Sequence, residues 1–226
     1  MKNKNMIMKL TIATIFLLLM SSQIGWTFAP EELLRETFDR SMDIQKELSA
    51  KEDHENKYKE ALWKEFSSVF DLEEMAGRSL GRFWKERSNE EKKEFVKIYT
   101  HLFKYMYLKN SFVFDVEKIN FLKEWQKGKY AKVHTKNILK TGDSISVDFL
   151  MHTNSGEWNV YDVVIEGLSM VNSIRSQLYD ILAKQPYDKL IERLRIVINE
   201  TQDKNDRSPG QFNRNKEFLF YFIGAG

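Results

Sequence analysis

Ser144 to Thr153 reads SISVDFLMHT, in which Ile145, Val147, Phe149 and Met151 alternate with Ser144, Ser146 and Asp148. A period of two sends successive side chains to opposite faces of a strand, so this run gives a sheet one apolar face and one mostly wet face. Runs of the same kind flank it at Lys118–Gln126, Lys129–Leu139 and Glu157–Gly167, separated by Lys127-Gly128, Thr141-Gly142-Asp143 and Asn154-Ser155-Gly156. The separators are turn chemistry, and four strands joined by short turns predict an antiparallel meander. Its apolar face needs a cover.

Helical spacing on both sides of the meander supplies that cover. From Glu31 to Leu48 the apolar residues Leu34, Phe38, Ile44 and Leu48 follow Pro30, a residue favoured at helix starts. Leu62, Phe66, Val69 and Phe70 line a second helix, and Asp71 suits the N-cap of a short helix over DLEEMAGRSLGRFW. Ser88-Asn89-Glu90-Glu91 is a capping box that opens a long helix carrying Phe95, Ile98, Tyr99, Leu102, Phe103 and Met106. After the meander, YDVVIEGLSMVNSIRSQL (Tyr161–Leu178) runs from strand through Glu166-Gly167 into a helix marked by Met170, Ile174, Leu178 and Ile181. Leu190, Leu194, Val197 and Ile198 mark another beyond Gln185-Pro186. The order predicts an α+β fold, with helices packed on one face of a curved antiparallel four-stranded sheet. Such a frame encloses either a filled core or an apolar cavity, and pattern alone does not choose between them.

The N-terminus carries Lys2, Lys4 and Lys9 before an apolar run from Leu10 to Met20. A positive segment, a short apolar segment and small residues after it predict a secretory signal peptide over residues 1–29. Cleavage after Ala29 or near Ser21-Ser22 both fit. The apolar run is short for a membrane span. Removing residues 1–29 takes away three lysines and no acid, turning a formal charge of +2 into −1. A nearly neutral chain lacks the dense basic surface that nucleic acid requires. With 0 cysteines, disulfides and thiolate chemistry are excluded, and an exported chain holds together by its core alone.

Residues 30–200 read as one domain. From Thr201 the sequence TQDKNDRSPGQFNRNK loses periodicity, so residues 201–226 are expected to be a tail. The tail ends in an apolar run, Phe218 to Ile223, too short to cross a bilayer. It reads as a segment that packs elsewhere, a partner contact, or an unusual gene end.

Motifs that carry chemistry are scarce. His54, His101, His134 and His152 form no H-x-x-x-H pair, and no phosphate-cradling glycine loop or G-x-S-x-G elbow occurs. Gly77 and Gly81 are four apart and read as a close helix-packing device. Asp148 falls on the polar side of its strand, where it faces solvent or pairs with Lys or Arg of the next strand. Asp162 has no clean polar face around it and is the candidate general base of an isomerase-like enzyme. The aromatics Phe66, Phe70, Phe83, Trp84, Phe95, Tyr99, Phe103 and Tyr107 are core, or line a pocket.

Three blocks carry a family resemblance: the signal-like N-terminus, FDLEEMAGRSLGRFWKERSNEEKKEFVKIYTHLF and WNVYDVVIEGLSMVNSIRSQL. With the F-x-x-x-Y-x-x-x-F spacing of the long helix and the Y-D-x-x-x-E-G-x-S-M corner, the chain resembles the MlaC family of periplasmic phospholipid-binding proteins, also called the toluene-tolerance family. The likeness spans about residues 31–200. It implies a monomeric periplasmic carrier without cofactor or catalysis, whose apolar cavity holds the acyl chains of a glycerophospholipid while the head group stays outside. It also implies two partners, an inner-membrane ABC transporter with an MCE-domain protein and an outer-membrane lipoprotein–porin complex. On this reading the strand-to-helix corner is a structural joint. The expected lipid-binding lining is Phe83, Trp84, Tyr99, Phe103 and Tyr107 from the helices and Val133, Val147, Phe149, Tyr161, Val163 and Ile165 from the sheet. A sister group of carriers handles hopanoid-type lipids, so a polycyclic ligand is the alternative cargo.

Overall fold

The computed structural model describes residues 29–49, 55–109, 116–154 and 156–204. The proposed signal peptide and the apolar run Phe218 to Ile223 lie outside the described residues, as does His54. Four helical segments come first: α1 (Pro30–Ser49), α2 (Glu55–Ser67), α3 (Leu72–Leu80) with a 3-10 helix after it (Gly81–Glu86), and α4 (Asn89–Lys109). The meander follows as β1 (Val116–Lys127), β2 (Tyr130–Leu139), β3 (Ser144–Thr153) and β4 (Trp158–Ile165), with a two-residue β5 (Leu168–Ser169). Helices α5 (Met170–Leu182) and α6 (Tyr187–Lys204) close the described chain. The sheet order is β1-β2-β3-β4-β5, every neighbour antiparallel. The fold is α+β as the patterning predicts, with a fifth strand that its two residues were too few to announce.

The capping chemistry explains where two helices begin. The Glu74 N–H donates to the Asp71 carboxylate at 2.9 Å, and at α4 the Glu91 N–H donates to the Ser88 hydroxyl while the Ser88 N–H donates to the Glu91 carboxylate. Each satisfies a backbone donor that a helix start leaves unpaired. The same Asp71 turns its other oxygen to His152 Nε2 of β3 at 3.0 Å, tying the start of α3 to the sheet.

Sequence periodicity overran two helix ends. The second helix stops at Ser67, and Phe70 instead makes a parallel bridge with Val160. The Asp71 N–H donates to the Val160 carbonyl at 2.9 Å and the Val160 N–H to the Val69 carbonyl at 2.7 Å, so the sheet edge captures this backbone. The helix predicted through Trp84 breaks at Gly81, where φ is +57° and a Cβ would stand 2.4 Å from the Tyr179 hydroxyl. Only a residue without a side chain accepts both conditions. At the other end, α6 continues to Lys204, past the boundary at 200 drawn from lost periodicity.

Alternation in the sheet is as expected: Ala131, Val133, Thr135, Asn137 and Leu139 of β2 are buried, while Tyr130, Lys132 and Lys136 are exposed. The buried face meets α1 and α4, where Phe38 packs against Phe149 at 5.4 Å and Phe121 at 6.4 Å. Phe95, Tyr99, Leu102 and Phe103 of α4 sink into the core at 0%, 0%, 1% and 4% exposure, which puts the long helix across the sheet's inward side. Bulges at Leu122 of β1 and Tyr161 of β4 interrupt the register. Each adds a residue on one strand, bending and twisting it.

Candidate functional site

Helices and sheet do not meet everywhere. Between α1, α2, α4 and the inward sheet face lies an open cavity of about 140 Å³.

Helix geometry selects the lining. Phe38, Ser41, Met42 and Gln45 share one face of α1 by their i, i+3, i+4, i+7 spacing. Leu62 and Phe66 come from α2, and Phe103, Met106 and Tyr107 from α4. Here the aromatics form a wall: Phe66 stacks on Tyr107 with centroids 3.8 Å apart and 18° between planes, and Trp63 backs Phe103 at 6.3 Å. The sheet contributes Val116 and Ile119 of β1, Asn137 of β2, Val147 and Phe149 of β3, and Val163 and Ile165 of β4, with Met170 from the start of α5. No charged side chain is among these residues. Burial pushes the Tyr107 hydroxyl well above its ordinary pKa, with Tyr58 and Glu65 of α2 adding to the effect, so it stays neutral. The arrangement accepts hydrocarbon and offers an ion nothing.

Of the residues predicted from sequence, Phe103, Tyr107, Val147, Phe149, Val163 and Ile165 line this cavity, and the other five stand elsewhere. Val133 is on the inward face opposite Phe149 but is fully buried in the packed part of the core. Tyr99, one turn before Phe103, is also fully buried, with its hydroxyl 3.4 Å from that of Ser79. The break at Gly81 carries Phe83 and Trp84 away: Phe83 meets the edge of Tyr179 at 5.2 Å, and Trp84 lies against Gly77. Tyr161 is the extra residue of the β4 bulge, which makes Val160 and Val163, three apart, the partners of Met151 and Phe149. Strict alternation placed Tyr161 inward; the bulge leaves it under the Arg78 guanidinium at 4.2 Å and beside His152 at 5.6 Å. Phe38, Met42, Leu62, Met106 and Met170 were missed as lining, although all but Met42 already stood in the apolar patterns that marked their helices, and Phe66, read as core or pocket wall, is pocket wall.

The two carboxylates singled out in the sequence are both engaged. Partial burial would raise the pKa of Asp148, but hydrogen bonds from Lys132 Nζ at 2.8 Å and His134 Nδ1 at 2.6 Å overrule it and hold the pKa below the usual range. Asp162, 5% exposed, accepts the Ser169 hydroxyl at 2.5 Å on one oxygen and the Val171 N–H at 3.1 Å on the other. Ser169 in turn accepts the Asn172 N–H at 3.0 Å as the N-cap of α5. Glu166 and Gly167 make the turn with φ of +49° and +81°, and the Glu166 carboxylate accepts the Ser146 N–H. Asp162 and Ser169 thus join β4 to α5, while Glu166 ties the turn to β3. Among the described residues no group of His, Asp and Glu is placed to hold a metal ion. Nor is any described helix long and apolar enough to cross a membrane.

A family model described as MlaC protein matches residues 35–196, most of the described chain. The chain belongs to the MlaC family. One relative in that family is the intermembrane phospholipid transport system binding protein MlaC of Haemophilus influenzae, 25% identical over an alignment of 172 residues, with 74% of this chain and 80% of the relative covered. Among solved structures, a phospholipid-binding protein from Ralstonia solanacearum, in complex with a phospholipid, is similar with a TM-score of 0.55. That likeness covers 76% of this chain and 96% of the other at 14% sequence identity, and it shows a shared fold. The MlaC fold here is therefore one in which helices roof a curved sheet over an open apolar space.

Proposed function

We propose that this MlaC-family chain is a periplasmic carrier that holds a glycerophospholipid by its acyl chains and moves it between membranes. The observation that carries the proposal is the open cavity between helices and sheet without one charged lining side chain. Each CH₂ taken from water contributes about 0.8 kcal/mol, so a sixteen-carbon chain represents on the order of 12 kcal/mol that the carrier has to match in transit. An apolar lining supplies this without reading the head group, which stays in water. Resemblance to the family supports export by the N-terminal segment. It supports equally a handover between an outer-membrane lipoprotein–porin complex and an inner-membrane ABC transporter with its MCE-domain protein. The engaged Asp162 oxygens favour a joint at the corner over a general base. Native mass spectrometry of protein purified from an exporting host without detergent, followed by solvent extraction, tests the reading. Stoichiometric phospholipid is expected; a protein that leaves the cell empty and refuses added phospholipid overturns it.

A further inference from the structure

Asn137 is the anomaly of the lining. It is 6% exposed and borders the cavity, held in register between Ile119 of β1 and Ile145 of β3. A carboxamide there has no apolar logic of its own, because burying it without partners is unfavourable. Ser41, another polar lining residue, keeps its hydroxyl within its helix by donating to the Thr37 carbonyl at 2.8 Å. Asn137 is satisfied on one side only: its Oδ1 accepts the hydroxyl of Thr135, itself fully buried, at 3.0 Å. The Val147 carbonyl is the other acceptor within reach of that hydroxyl, at the longer distance of 3.2 Å. With Oδ1 turned to Thr135, the Nδ2 group has no protein partner among the described residues, and the space open to it is the cavity.

An NH₂ group donates and does not accept. A donor that faces a cavity open to solvent has water as its partner until a ligand displaces it. Once hydrocarbon fills the space, that water leaves, and the donor is unpaired unless the ligand brings an oxygen. Asn137 stands two residues before the end of β2, and its neighbour Ile119 is close to the start of β1. On the sheet, Val116 alone of the lining lies farther toward that end, so Asn137 stands near one end of it. Given the carrier reading above, we infer that Asn137 Nδ2 donates a hydrogen bond to the ester carbonyl of an acyl chain seated in the cavity. The site thereby selects ester-linked lipids over chains of the same length that lack the carbonyl.

The test compares two phospholipids with the same head group and chain length, one diacyl and one dialkyl ether, offered together in vesicles to delipidated protein and counted by native mass spectrometry. Wild-type protein is expected to load the diacyl lipid in preference by roughly tenfold, as sites built to hydrogen-bond a group reject analogues without it. Asn137→Leu is expected to load both with a ratio near one. Equal loading by wild-type protein overturns the inference and leaves the carrier reading standing, and this arm needs no variant to fold. A preference unchanged in folded Asn137→Leu also overturns it. Wild-type protein that loads neither lipid overturns the carrier reading itself.

Discussion

Val147→Glu is expected to make ligand binding depend on pH where the wild-type protein shows no such dependence. Val147 is 3% exposed, sits between Thr135 and Ile165 in register, and faces the cavity. No Lys, Arg or His is in the lining to pair with a new carboxyl group. In the empty protein, water in the open cavity hydrates the carboxylate, and its pKa remains near the ordinary value of about 4.3. Acyl chains expel that water, and burial of this kind raises a carboxyl pKa by about 3 units. The pKa of the ligand-bound state lies above that of the empty state, so full affinity is present below the lower value and is lost as pH rises through the window between them. Across that window, about pH 4.3 to 7.3, the loss totals on the order of 10³-fold, or about 4 kcal/mol, and most of it falls above pH 5. Displacement of a fluorescent phospholipid from delipidated protein between pH 5 and pH 8 measures this directly. The wild-type curve is expected to be flat, because burial holds Tyr107, the titratable lining residue, neutral. Folded Val147→Glu with a flat curve at wild-type affinity would refute the placement of acyl chains against this wall.

Two further predictions concern the joints. Asp162→Ala leaves the Ser169 hydroxyl and the Val171 N–H without their acceptor, so urea denaturation should show a loss of about 2–3 kcal/mol. Lipid loading at saturation should be unchanged, since Asp162 is outside the lining. Gly81→Ala combines a φ of +57° with a Cβ 2.4 Å from the Tyr179 hydroxyl, and is expected to cost at least about 2 kcal/mol in stability. Adding Tyr179→Phe removes the collision but also the acceptor of the Arg82 N–H at 3.0 Å. A double-mutant cycle followed by thermal unfolding should therefore show strong coupling, whereas simple additivity would mean that the loop moves aside.

Strand patterning was the most legible layer of this chain. The alternation of Ile145, Val147, Phe149 and Met151 fixes which face of β3 is buried, and the same logic places Val163 and Ile165. It fails at Tyr161, because a bulge is one residue of backbone that side-chain periodicity does not record. Helix periodicity finds apolar faces but not the space in front of them. Tyr99 and Phe103 share a stripe on α4, yet one packs into solid core and the other borders the cavity. Gly77 and Gly81 were legible as packing glycines, while what a Cβ at Gly81 would meet is Tyr179, almost a hundred residues away. Asp162 could not be assigned from its neighbours in sequence, because its partners are the backbone and cap of the next helix. Asn137 lay unnoticed within an alternating strand, where only its buried position sets it apart.

The uncharged lining also sets a clock. Withdrawing two sixteen-carbon chains into water would present a barrier on the order of 24 kcal/mol, which corresponds to an escape rate on the order of 10⁻⁵ per second. A loaded carrier of this kind would keep its cargo for many hours, longer than many bacterial generations. Spontaneous release is then no route for unloading. A recipient has to offer a second oily surface before the first lets go, so that the chains slide from one to the other and the slow step through water never happens.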